Sequence, residues 1–138
     1  MIYSRIEGTG HHLPEKIMTN FDLEKLVDTS DEWIKTRTGV ERRHIASTEE
    51  TTSDLGLKAA KKAMTDAKVN KEDIDLIVVG TTTPDYIFPN VATLVQDGLD
   101  IHGCPAFSVE AACSGFVYAL SIADKFIKSG GIKCALVI

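Results

Sequence analysis

The chain has 138 residues, 43% of them hydrophobic and 25% charged, a composition that suits a soluble domain able to bury a real core. Its formal net charge of -5, with acids and bases interspersed, leaves no basic stripe and excludes the usual footprint of nucleic-acid binding. No apolar run approaches the roughly 20 residues of a membrane span, and the start Met1-Ile-Tyr-Ser-Arg-Ile lacks the pattern of a signal peptide, so a cytoplasmic protein without membrane contact is expected.

Met1 to Gly8 alternates and runs into Gly10-His-His-Leu-Pro14, which predicts a strand and then a turn. Asn20 is the expected cap of a short helix bearing Phe21, Leu23, Leu26 and Val27. A second short helix is predicted to open at Thr29, where Thr-Ser-Asp-Glu32 has the spacing of a capping box, and to close at Gly39. Val40 to Ala46 reads as an edge strand or ribbon because its interior is Glu-Arg-Arg-His. Thr52-Ser-Asp54 predicts the start of a long helix in which Leu55, Ala59, Ala63 and Ala67 form an apolar stripe laid on a sheet. The β-branched run Ile74 to Val79 predicts a central parallel strand. Pro89 then starts a helix with Val91, Leu94, Val95 and Leu99, Pro105 to Val109 is a strand, and Cys113 to Ser129 is a helix apolar on nearly every side, as expected of a helix buried between layers. Ile132 to Ile138 begins one more strand. Strands alternating with helices imply right-handed crossovers and a mostly parallel sheet, an α/β fold.

Three cysteines without a CxxC argue against a disulfide or metal framework. Cys113 stands where an apolar strand breaks into an apolar helix. The first turn of a helix carries unpaired N–H groups and the positive end of the macrodipole, which favour a thiolate there. Cys104, in a turn, and Cys134, inside an apolar strand, read as packing residues. Trp33 and Arg37 fall on one helical face at i and i+4; they can present a ring and a guanidinium to a nucleotide or pair with each other, and spacing alone favours the pair. Arg42-Arg43-His44 reads as solvated strand, and His11, His12 and His102 lack a partner motif. Asp85-Tyr-Ile-Phe88 places apolar residues in a loop, as a subunit contact, a pocket wall or a lid requires.

Ala111-Ala-Cys113-Ser-Gly-Phe116 resembles the active-site motif of β-ketoacyl-acyl carrier protein synthase III, the condensing enzyme that starts bacterial type II fatty acid synthesis. Gly8-Thr-Gly10, Leu13-Pro-Glu15, Thr29-Ser-Asp-Glu-Trp-Ile34, Arg37-Thr-Gly39, Arg43-His-Ile45, Phe88-Pro89, Gly103-Cys-Pro-Ala-Phe107 and Tyr118-Ala-Leu120 agree with that family in order. The resemblance implies a thiolase-like fold of two similar halves in five α-β-α-β-α layers, with residues 1–138 as a first half-domain. It also implies that Cys113 is the nucleophile and that Thr29, Trp33 and Arg37 contact coenzyme A. Phe88 would wall the partner's acyl pocket in a homodimer. Acyl-CoA and malonyl-acyl carrier protein are then substrates, acyl carrier protein is a partner, and no cofactor or metal is needed. The sequence departs from the family at Ser108, often aspartate, and at Glu110, commonly a small or amide residue.

The histidine and asparagine of the family's Cys-His-Asn triad have no counterpart here, so these residues alone are expected to be inactive. The apolar ending Cys-Ala-Leu-Val-Ile138 also suggests a piece of a longer protein, or one chain of a nicked one. Two rivals stand beside this reading: another thiolase-like acyltransferase, and a non-catalytic half-domain that pairs through its open sheet edge.

Overall fold

The computed structural model describes residues 3–138, which divide into two compact units, Leu13–Glu50 and the residues up to His12 together with Thr51–Ile138. The smaller unit runs β1 (Lys16–Thr19), α1 (Asn20–Glu24), α2 (Asp31–Thr38) and β2 (Arg42–Ile45). β1 and β2 form an antiparallel ribbon with Lys16 opposite Ile45 and Thr19 opposite Arg42, in line with the expected edge or ribbon.

Helix starts fall one residue from their predicted caps. Thr19, not Asn20, caps α1: its hydroxyl accepts the Asp22 N–H, and the Asp22 carboxylate accepts the Thr19 N–H at 3.0 Å. Asn20 is instead the first helical residue and is fully buried. Leu26 and Val27 lie beyond α1 and are exposed. Ser30 rather than Thr29 caps α2, accepting the Trp33 N–H at 3.1 Å, while Gly39 ends the helix at φ 72°, a left-handed position that suits glycine.

The Thr19 hydroxyl, then its N–H, then Lys25 hold the Asp22 carboxyl at about 2, against an ordinary 3.8. Because the folded value lies below the unfolded one, this cap stabilises the fold above about pH 4 and its contribution disappears as the pH falls toward about 2. Asp22→Asn is expected to lower stability at neutral pH and to flatten the acid limb between those values. Urea unfolding followed across pH checks this, and an unchanged acid limb would remove Asp22 from the account.

The larger unit contains α3 (Thr52–Ala67), β3 (Leu76–Gly80), α4 (Val91–Gly98), β4 (Ala106–Val109), α5 (Gly115–Lys128) and β5 (Ala135–Val137). Its sheet is parallel, ordered β4-β3-β5 with β3 in the centre. The buried run Leu76-Ile-Val-Val79 feeds two layers because alternate side chains leave opposite faces. Ile77 and Val79 pack with Ala60 of α3, Val91, Ala92 and Val95 of α4, and Leu136 of β5. Leu76 and Val78 pack with Ala119 and Ala123 of α5. Each large side chain so buried contributes about 1.5–3 kcal/mol. Asp75 ties β5 to the foot of β3, its carboxylate accepting the N–H groups of Lys133 (2.8 Å) and Cys134 (3.1 Å).

Several further expectations are corrected here. Residues 3–8 form no strand, and Met1 and Ile2 lie outside the described residues. This segment runs along helices instead: the Ser4 hydroxyl donates to Asp124 of α5 at 2.8 Å, and the Thr9 N–H donates to Asp66 of α3 at 2.8 Å. Gly8 and Gly10 lie directly on the α3 backbone at Ala59, Ala63 and Ala67, so close that a Cβ on either would overlap it. The predicted α3 stripe is thus covered by the N-terminal segment, whereas Gly56 and Ala60 are the residues buried on the core side. Thr51, not Thr52, caps α3, accepting the Asp54 N–H in a capping box, and Asn90 caps α4 one residue after Pro89. Helix α5 buries only Gly115, Ala119 and Ala123, leaving Phe116, Val117 and Tyr118 more than half exposed.

Candidate active site

Cys113 sits at the carboxyl end of the parallel sheet, where open α/β folds build their sites. β4 ends at Val109, a 3-10 turn spans Ala112–Ser114, and α5 begins at Gly115. The cysteine therefore precedes α5 rather than opening it. Ala112 takes a left-handed φ of 43°, a conformation that strains a residue bearing a Cβ. Ser114 N–H donates to Ala111 O at 2.9 Å and Gly115 N–H donates to Ala112 O, closing the turn. The Cys113 N–H stands outside those two bonds, and its side chain is exposed.

Two glycines make this placement possible. A Cβ on Gly80, at the end of β3, would lie 2.6 Å from the Gly115 carbonyl carbon and 2.9 Å from the Phe116 N, and one on Gly115 would meet the Gly80 Cα at 3.4 Å. Bare backbone against bare backbone lets the first turn of α5 rest on the end of the central strand. The turn is thereby fixed to the rigid sheet. Beside it, Ser108 of β4 receives the Ala92 N–H and donates to Asn90, the cap of α4, in long contacts of 3.4 Å each.

Cys104 and Cys134 are half-buried and pack on the core, as their sequence positions suggested. Gln96 Nε2 donates to the Cys104 carbonyl at 2.8 Å, and burial pushes the Cys134 thiol up from its ordinary value. Iodoacetamide is expected to label Cys113 well before the other two, because it alone is exposed. Peptide mapping over a time course reads the order, and equal rates at all three would contradict it.

In the smaller unit Trp33 and Arg37 meet as the spacing predicts. The guanidinium carbon lies 4.9 Å from the ring centroid, a cation–π contact, and the indole is 54% exposed. Thr29 is half-buried in the loop before the Ser30 cap. α2 thus displays a flat ring backed by a fixed positive charge. Arg42-Arg43-His44 is not simply solvated. Arg43 donates to Asn20 Oδ1 (2.7 Å) and to Met18 O (3.2 Å), and His44 Nδ1–H donates to Pro14 O at 2.5 Å. A buried acceptor, the Asn20 amide oxygen, is what converts this strand arginine from solvated to structural, and the sequence gives no signal of it because Asn20 stands where a cap is expected.

Phe88 lies in the larger unit, on the loop between β3 and α4, 87% exposed next to a fully exposed Ile87. The loop is tethered behind these residues. The Asp85 carboxylate accepts the Ser53 N–H (3.0 Å) and the Ser53 hydroxyl, and the Thr52 hydroxyl donates to Thr83 O at 2.6 Å. Its apolar tip is thus held outward by the first turn of α3, which answers against a lid folded on its own core. Among the described residues no helix is long and apolar enough to cross a membrane.

Comparisons with known proteins agree with this arrangement. The family model described as 3-oxoacyl-[acyl-carrier-protein (ACP)] synthase III matches residues 107–138, the stretch that holds the turn. β-Ketoacyl-[acyl-carrier-protein] synthase III of Thioalkalivibrio sulfidiphilus is 61% identical over 138 residues, all of this chain and 43% of that protein. The crystal structure of 3-oxoacyl-[acyl-carrier-protein] synthase III from Aquifex aeolicus is 54% identical with a TM-score of 0.91, covering 95% of this chain and 42% of that one. The priming β-ketosynthase of the R1128 polyketide pathway is 36% identical at TM-score 0.90, covering 96% of this chain and 40% of that one. Parallel sheet, flanking helices and cysteine turn define the first half of a thiolase-like α/β fold. The chain spans about 43% of the length of the curated relatives it matches. Over its whole length it corresponds to the N-terminal portion of proteins of the β-ketoacyl-acyl carrier protein synthase III family.

Proposed function

We propose that this chain supplies the nucleophile and the coenzyme A recognition helix of a synthase that starts type II fatty acid synthesis. The observation that carries the reading is the exposed Cys113 in a strained turn between a parallel strand and α5, inside the residues that the family model matches. The Cys113 thiolate attacks the carbonyl of a short acyl-CoA thioester, and the tetrahedral intermediate collapses with expulsion of the CoA thiolate, leaving an acyl-cysteine. The Cys113 N–H, outside the hydrogen bonds of its turn, is suited to donate to the oxyanion. Malonyl-acyl carrier protein then loses CO2, and its enolate attacks the acyl-cysteine to release a β-ketoacyl-acyl carrier protein and regenerate the thiolate.

Decarboxylation calls on the histidine and asparagine of the family's triad, which these 138 residues do not provide; acting alone they are expected to be inactive. In the binding step the indole of Trp33 stacks on the adenine, Arg37 neutralises phosphate and Thr29 contacts the base. The outward Ile87-Phe88 tip fits a homodimer in which Phe88 reaches the partner's acyl pocket. On this reading the protein works in the cytoplasm, with acyl carrier protein as its partner.

The test supplies the complete protein with acetyl-CoA and radiolabelled malonyl-acyl carrier protein. Labelled acetoacetyl-acyl carrier protein is expected, and malonyl-CoA should not replace the carrier-bound acceptor. Equal use of malonyl-CoA would favour the second reading, a condensing enzyme of the polyketide kind, to which the likeness to the R1128 priming β-ketosynthase gives some weight.

A further inference from the structure

One buried amide in the smaller unit grips α2 at both ends. Asn20 has no exposed surface, and every polar function of its side chain is used. One Nδ2 proton goes to Asp31 Oδ1 (2.8 Å), on the first residue of the helix, and the other to Val40 O (2.8 Å), just past its Gly39 C-cap. Oδ1 accepts from Arg43 Nη2 at 2.7 Å, and Arg43 in turn holds Met18 O, so the amide is fixed to the β1–β2 ribbon. The Asn20 N–H completes the tie by donating to Glu41 O at 3.2 Å.

An eight-residue helix has little stability of its own. α2 also has no fully buried residue, with Ile34 only partly covered, so packing holds it weakly. What fixes it is polar: this amide, the Glu24 carboxylate on the Asp31 N–H (2.6 Å), the Ser30 cap, and the Lys35–Glu41 ion pair at 2.9 Å. Of these the Asn20 amide is the buried one and the one that reaches both ends of the helix.

We infer that Asn20 is a positioning residue for nucleotide recognition, setting the direction in which α2 presents the Trp33 ring and Arg37. This rests on the reading that those two residues bind coenzyme A. Asn20 touches no ligand in this scheme; its effect passes through Asp31 and Val40. Asn20→Asp is the informative change, since it keeps the shape and the acceptor for Arg43 but turns both donors into acceptors facing Asp31 Oδ1 and Val40 O.

The experiment uses Trp33, the single tryptophan of these 138 residues, as its reporter. Adenosine 3′,5′-bisphosphate, the nucleotide end of coenzyme A, is titrated into the chain while indole emission is followed, with pantetheine as the control. Asn20→Asp is expected to weaken binding by about tenfold while the circular dichroism spectrum stays native. Combining it with Asp31→Asn, which restores a donor opposite the new carboxylate, should recover part of the loss. Asp31→Ala, which releases only the helix start, should also weaken binding.

Native-like Asn20→Asp that binds as tightly as the original, with Arg37→Ala still weakening binding, overturns the positioning role and leaves coenzyme A recognition intact. A loss that merely follows the fraction unfolded and is not recovered by Asp31→Asn also overturns it. Absent binding by the unaltered chain, or binding indifferent to Arg37→Ala, removes the underlying reading and this inference with it.

Discussion

Alanine in place of Cys113 is expected to abolish acyl transfer in the complete protein, with condensation falling by at least about 10^3-fold. Neither Cys104 nor Cys134 can substitute, because both pack on the core of the unit and neither stands in an exposed turn. The same change should leave stability within about 0.5 kcal/mol of the original, since the exposed side chain fills no core space. Chemistry and folding are therefore separable at this position. Incubation with radiolabelled acetyl-CoA and an acid quench should leave label on the unaltered protein that hydroxylamine releases, and none on Cys113→Ala. Label retained by the variant would move the nucleophile elsewhere.

Gly80→Ala acts on the same site through the fold. Its new methyl would lie 2.6 Å from the Gly115 carbonyl carbon and 2.8 Å from the Gly115 oxygen, and neither is a side chain that can rotate away. The first turn of α5 has to lift off β3, at a cost of about 2–3 kcal/mol, and the strained Cys113 turn is displaced with it. Both the urea midpoint and the iodoacetamide rate at Cys113 should change, while the buried half of α4 stays in place. A variant with original stability and original Cys113 reactivity would show that the contact yields at no cost.

Where chemistry is spelled locally, the sequence was a good guide. The apolar, β-branched run before Gly80 marked the central strand, and the break at Cys113 marked the turn, because both depend on neighbours in the chain. Trp33 and Arg37 met because four residues is one helical turn. The resemblance then supplied the roles that spacing left open.

What escaped depends on contacts between distant segments. Alternation from Met1 to Gly8 suggested a strand, yet Gly8 and Gly10 are there to lie on α3, and a helix as the partner is invisible until tertiary structure is known. Each pair Thr19-Asn20, Thr29-Ser30 and Thr51-Thr52 offers two adjacent hydroxyl or amide caps, and the cap in each is the one whose side chain accepts the N–H three residues on. Arg43 looked solvated because nothing in its own strand announces a buried amide 23 residues earlier. Asn20 stands where asparagine usually caps a helix, and that position conceals its buried role.

The order of strands in the larger unit sets the order in which it can form. β3 lies between its later neighbours, so its first ladder waits for β4 and its second for β5, about sixty residues downstream, each pairing closed only after a helix has been crossed. The smaller unit, by contrast, is contained in the contiguous segment Leu13–Glu50. During synthesis the smaller unit can therefore settle while the sheet that seats Cys113 is still an unpaired strand, and slow, sequence-distant pairing makes the second step the one exposed to aggregation.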